Sequence, residues 1–144
     1  AADNRFVYAR DVAVLDMLEH GTGVVFLGYP QCPWCQRLSE YVDQAARAEG
    51  IAVIHYLNIR QARASKNETY QKLVARLAPY LSKDENGQPR IFVPDVTIVK
   101  HGSIVWRYKE EPTEDNTTPD RYWTAERAQR AVAQLRRAMQ TMKQ

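Results

Sequence analysis

The chain has 144 residues, with 20 Lys and Arg against 17 Asp and Glu and a formal net charge of +3. That length suits one domain, expected to span residues 1–144, which buries about two-thirds of its unfolded surface without disulfide staples. No stretch approaches the roughly 20 apolar residues of a membrane span, and the charge is too modest to argue for nucleic acid. The basic residues near the end, among them Arg127, Arg130, Arg136 and Arg137, share their segment with an apolar stripe and read as the solvated face of an amphipathic helix.

In chain order, Phe6 to Tyr8 is a short extended start. Asp11 to Glu19 carries Val12, Leu15 and Leu18 at helical spacing, with His20-Gly21 as a stop. Val24 to Gly28 is short, apolar and β-branched, as expected of a strand covered on both faces. Tyr29-Pro30-Gln31 breaks it. Pro33 to Ala48 is predicted helical, with its proline in the first turn and Leu38, Tyr41, Val42 and Ala45 on one face. Gly50 stops this helix, and Ile51 to Leu57 reads as a second buried strand, completing a βαβ unit.

The stretch from Arg60 to Arg90 is polar at both ends, with a helical middle marked by Tyr70, Leu73 and Leu77 and a turn at Asn86-Gly87-Gln88-Pro89. Val96 to Val99 and Ile104 to Tyr108 are short strands whose tight glycine-bearing connection predicts an antiparallel hairpin. A polar loop, Glu110 to Asp120, leads to a last helix from about Thr124, with Ala128, Ala131, Val132, Leu135, Met139 and Met142 on one side. The order implies an α/β fold, a mixed sheet covered by helices on both faces. The chain starts Ala1-Ala2-Asp3 without Met, which fits either signal-peptide removal and an extracytoplasmic place or a shortened, cytoplasmic chain. Asn67 and Asn116 open glycosylation-type triplets, to which no function is assigned.

Cys32 and Cys35 are the only cysteines. A Cys-X-X-Cys that opens a helix directly after a buried strand brings both sulfurs to the first helical turn. Cys32 would take the cap position, where unpaired backbone N–H groups and the helix dipole favour a thiolate. Cys35, one turn deeper, is expected to be more buried and to act as the resolving thiol. A structural zinc site would need four ligands, and His20, His55 and His101 show no paired spacing, so no metal is expected. A purely structural disulfide would constrain the unfolded chain little across so short a loop. Pro33 and Trp34 restrict the pair, and Trp34 reads equally as a shaper of the substrate-facing surface and as half-buried packing.

Gly28-Tyr29-Pro30-Gln31-Cys32-Pro33-Trp34-Cys35 resembles the active-site segment of the thioredoxin superfamily. Val93-Pro94-Asp95-Val96-Thr97-Ile98-Val99-Lys100-His101-Gly102 resembles that superfamily's run of cis proline, strand, turn and last strand. The resemblance implies a thioredoxin fold: a mixed central sheet of four to five strands flanked by helices, with an extended segment before the cis-proline strand. It also implies thiol-disulfide exchange by Cys32 and Cys35 on protein substrates with thiols or disulfides, and a redox partner protein. Pro33, Trp34, Val93 and Pro94 would face the substrate. Read from the residues alone, the Val93-Pro94 bond is open between cis and trans.

Within the superfamily the chain looks most similar to small bacterial thioredoxin-like proteins labelled bacteriocin transport accessory proteins. It departs from thioredoxins proper in having Gln31 before the first cysteine, Pro33-Trp34 between the two, and Phe26 where they keep a buried Asp. The glutathione-binding run of glutaredoxins is missing, so neither glutathione nor any other cofactor is implied. The segment between Cys35 and Pro94 is longer than in thioredoxins, and its surplus, within Arg60 to Arg90, reads either as a partner-binding insertion or as padding. The alternative to an enzyme is a thioredoxin-fold accessory or binding module without significant redox turnover.

Overall fold

The computed structural model describes residues 4–108 and 117–144. Ala1 to Asp3 and Asn116, with most of the polar loop from Glu110, lie outside the described residues. In chain order the elements are β1 (Phe6–Tyr8), α1 (Asp11–His20), β2 (Gly23–Gly28), α2 (Pro33–Ala48), β3 (Ile54–Asn58), α3 (Arg60–Ser65) and α4 (Glu68–Leu77). A 3-10 turn (Ala78–Tyr80), β4 (Asp95–Lys100), β5 (Ser103–Tyr108), α5 (Pro119–Tyr122) and α6 (Ala125–Met142) follow.

The five strands form one sheet in the order β1-β3-β2-β4-β5. β3 runs parallel to both β1 and β2, whereas β4 is antiparallel to β2 and to β5. β2 is central and buried along its whole length. Strand periodicity divides its side chains: Val24 and Phe26 pack with Leu38, Val42, Leu135 and Met139 of α2 and α6. Val25 and Leu27 pack with Val14, Leu18, Leu73 and Leu77 of α1 and α4. Each such side chain removed from water contributes roughly 1.5–3 kcal/mol.

Several expectations need correction. The second strand starts at Ile54 rather than Ile51: Gly50 takes φ +69°, and the Ile51 N–H still bonds the Ala46 carbonyl of α2. β3 is also not covered on both faces, since Ile54 and Tyr56 are buried while His55 and Leu57 are half-buried. In α1 the buried residues are Val14 and Leu18, and Val12 is exposed, because the helix covers the sheet with a narrow stripe. The polar start of the long segment after β3 is itself helical, forming α3, which lacks buried residues and ends where Lys66 turns left-handed at φ 49°. Asn67 then caps α4.

The β4–β5 connection is the tight hairpin expected, with His101 and Gly102 both at positive φ, as a two-residue turn requires. The same end of the sheet is tied down by Arg76 of α4, which donates to the Leu18 carbonyl at 3.2 Å and the Gly102 carbonyl at 2.8 Å. On the α1 and α4 face Arg107 of β5 meets the buried Asp95 carboxylate at 2.7 Å. On the other, Arg136 and Lys143 of the terminal segment bind Glu49 at the end of α2, at 2.8 and 3.3 Å. No helix among the described residues is long and apolar enough to cross a membrane.

Candidate active site

β2 delivers the chain to Gly28, and the turn through Tyr29 and Pro30 delivers it to Cys32, whose N–H donates to the Tyr29 carbonyl at 3.2 Å. Cys32 is the N-cap of α2: its backbone is extended (φ −88°, ψ 112°) and its Sγ accepts the N–H of Cys35 at 3.1 Å. Pro33 occupies the first turn, where the missing N–H has no intrahelical partner to lose. Both cysteines are thiols and both are buried, Cys32 at 7% and Cys35 at 2% exposure.

The Cys32 thiol is lowered to about 6. The largest cause is the hydrogen bond from the Cys35 side chain, followed against burial by the N–H groups of Cys35 and Trp34 and by the charge of Arg63. The helix terminus therefore acts as sequence reasoning expects, but the neighbouring thiol acts more strongly. At neutral pH Cys32 is chiefly a thiolate, the nucleophilic form.

Space beneath the pair is tightly set. A Cβ added at Gly28 would stand 2.9 Å from Cys35 Sγ and 3.0 Å from the Phe26 ring. Phe26, at the place where thioredoxins keep an acid, stacks on Tyr56 with ring centroids 5.1 Å apart. Cys35, Tyr56, Tyr29 and Phe6 line a cavity of about 270 Å³ beside the pair. Burial pushes the Tyr56 phenol well above its usual range, so it stays neutral.

Of the other residues singled out in the sequence, Pro33 is exposed and Trp34 is half-buried, edge-on to Tyr122 with centroids 5.5 Å apart. The Val93–Pro94 peptide is cis. Pro94 is buried immediately before β4, and Asp95 pairs with Leu27, so the cis bond lies at the sheet end where β2 runs into the cysteine turn. Val93 packs against the core cluster that holds both cysteines. Among the described residues no group of three or more His, Cys, Asp and Glu side chains is placed to hold a metal ion.

Sequence reasoning missed Tyr29 and Arg63. The Arg63 guanidinium donates to the Tyr29 hydroxyl at 3.3 Å and to the Ile91 carbonyl at 3.0 Å, and it lies over the Tyr29 ring. No local pattern announces these contacts. The one available signal was that Arg63 falls within the surplus segment.

No family model matches this chain, and no curated protein matches it. Among solved structures it is similar to thioredoxin O2 of Arabidopsis thaliana in the oxidized state, at 15% identity over 76% of this chain and 85% of that one, with a TM-score of 0.48. It is also similar to the short form of spinach chloroplast thioredoxin F, at 14% identity over 91% of this chain and 96% of that one, with a TM-score of 0.46. The strand order, the parallel β2-α2-β3 unit and the antiparallel β4–β5 hairpin of this chain are themselves those of the thioredoxin fold.

Proposed function

We propose that the protein is a thiol-disulfide oxidoreductase that acts on protein disulfides through Cys32 and Cys35. The observation that carries this reading is the Cys32 sulfur at the helix cap, held by the Cys35 N–H and lowered to about 6, with a second thiol directly beneath it. The Cys32 thiolate attacks one sulfur of a substrate disulfide; that S–S bond breaks and the departing substrate sulfur takes a proton. Cys35 then loses its proton and attacks Cys32 Sγ, releasing the second substrate thiol. Two electrons have passed to the substrate, and the Cys32–Cys35 disulfide remains, to be reduced by a dithiol partner protein. Run backwards, the same steps oxidise a substrate dithiol.

Pro33 and Trp34 form the rim that meets the substrate, and the backbone of Val93 before cis Pro94 offers an edge for an extended substrate segment. The finer likeness to bacteriocin transport accessory proteins rests on residues 28–35 and names no substrate. A second reading, a binding module without turnover, draws on the low exposure of both sulfurs.

Insulin reduction driven by dithiothreitol separates the two. The wild-type chain is expected to accelerate it and Cys32→Ser to abolish the acceleration, whereas no acceleration by either overturns the enzyme. In a partner extract, Cys35→Ser is expected to accumulate mixed disulfides that it cannot resolve, and Cys32→Ser to trap few or none.

A further inference from the structure

Besides Val93, which packs against the cluster holding both cysteines, the segment between β3 and β4 acts on the redox pair through the side chain of Arg63. Ile59, fully buried, anchors the start of α3, and Arg63 one turn later is half-buried among groups that belong to the site. Its two outer nitrogens reach in two directions. One bonds the Ile91 carbonyl, two residues before Val93, and the other bonds the hydroxyl of Tyr29, three residues before Cys32. The ring of Tyr29 also receives Arg63 and Arg60 against its faces, each guanidinium carbon 5.6 Å from the centroid. The N–H of Ile91 donates to the Tyr70 hydroxyl of α4 at 3.2 Å. Both backbone polar groups of this fully buried residue are thus satisfied by the same segment.

We propose that Arg63 is a positioning residue for the redox pair: tethered to Tyr29 and Ile91, it fixes the turn before Cys32 against the irregular stretch that leads into cis Pro94 and holds a positive charge toward the Cys32 sulfur. The proposal rests on the reading of Cys32 as the attacking thiol. It gives the surplus segment a role inside the site rather than outside it. A planar guanidinium suits the task because it donates in two fixed directions while stacking on an aromatic face, which an ammonium does not do. Among the ionisable groups, Cys35 from α2 and Arg63 from α3 lower the Cys32 thiol, while the Tyr56 phenol of β3 is itself raised by burial and stays neutral. Arg63 is the cation among them, so its removal takes away attraction for the thiolate and leaves the thiol form unchanged.

The test is the pH profile of Cys32 alkylation by iodoacetamide in the reduced protein, followed by mass spectrometry of the labelled peptide. Arg63→Gln is expected to move the profile to higher pH and to slow labelling at pH 6.5 by about twofold to fivefold, with the Cys32–Cys35 couple shifting to a lower reduction potential. Arg63→Lys restores part of that loss by keeping the charge. Arg76→Gln removes an arginine of the same layer that also binds two backbone carbonyls, and it is expected to leave the profile in place. An unmoved profile in Arg63→Gln, or an equal shift in Arg76→Gln, overturns the proposal. Should Arg63→Gln fail to fold, Tyr29→Phe cuts one tether only; it is expected to slow labelling in the same direction, and an unchanged rate overturns the proposal. Alkylation needs no substrate disulfide, so its outcome is independent of the insulin assay.

Discussion

The two faces of the sheet differ in chemistry. The face covered by α2 and α6 is rich in rings, with Phe26, Tyr56, Tyr108 and Trp123 packed around a cluster that includes both cysteines. The face covered by α1 and α4 is chiefly aliphatic, built from Val14, Leu18, Val25, Leu27, Leu73 and Leu77. One layer holds the thiols directly. The other reaches them around the end of the sheet, through Val93, which packs against both layers, and through Arg63. Reactivity and scaffolding are therefore carried by different layers of one small sheet, and a substitution in either layer should reveal which.

The largest effect should come from truncating one leucine in each layer. Leu38 and Leu18 are both fully buried, so Leu38→Ala and Leu18→Ala should each cost about 2–5 kcal/mol in urea denaturation. The two should part in the alkylation profile of Cys32, which is expected to change in Leu38→Ala and to stay put in Leu18→Ala. A shift in both would erase the distinction between the faces.

Gly28→Ala should have a smaller effect on stability, about 1–3 kcal/mol, because the new methyl group meets Cys35 Sγ and the Phe26 ring. The sulfur must give way, so resolution of a mixed disulfide on Cys32 should slow by more than the loss of stability alone accounts for. Stopped-flow measurement of thiol release in Gly28→Ala and wild type checks this, and equal rates would show that the ring-rich layer has slack beneath the pair.

The smallest effect belongs to the aliphatic side. Asn67 caps α4 by accepting the Tyr70 N–H at 3.0 Å, and Asn67→Ala should cost about 1 kcal/mol. Hydrogen exchange should quicken in α4 while Cys32 labelling stays the same. Faster exchange in α2 as well would mean that the two layers open together.

Much of this was legible because local pattern and tertiary role coincide. Val24 to Leu27 are apolar in every position and lie in the central strand. Pro33 marks the first turn of α2 as its fixed φ requires, and His101-Gly102 turns the hairpin. Where the two separate, the sequence is silent. α3 has no buried face and so no periodicity to read. Ile51 to Val53 look like a strand, but β1 lies beside β3 only from Phe6 opposite Ile54. Val12 has the spacing of a core residue and faces outward, since spacing marks a stripe and not which edge of it meets the sheet. The Asp95–Arg107 pair and the Arg63 tethers join residues remote in sequence, which only the register and the docking of α3 bring together.

The hydrogen bonds that Cys32 Sγ receives from Cys35, chiefly from its side chain and then from its N–H, also tie the redox state to the stability of the fold. Cys32 titrates lower in the folded chain than in an unfolded one, so its stabilising contribution is fully present above the ordinary thiol value near 9. That contribution declines below it and is gone once pH has fallen through about 6. Forming the Cys32–Cys35 disulfide removes the thiolate at every pH, and so short a ring returns little by restricting the unfolded chain. At neutral pH oxidation therefore withdraws support from the start of α2. On the proposed redox reading, the lowered Cys32 thiol favours the dithiol form of the folded chain and would make it a stronger oxidant than the same two cysteines in an unfolded chain.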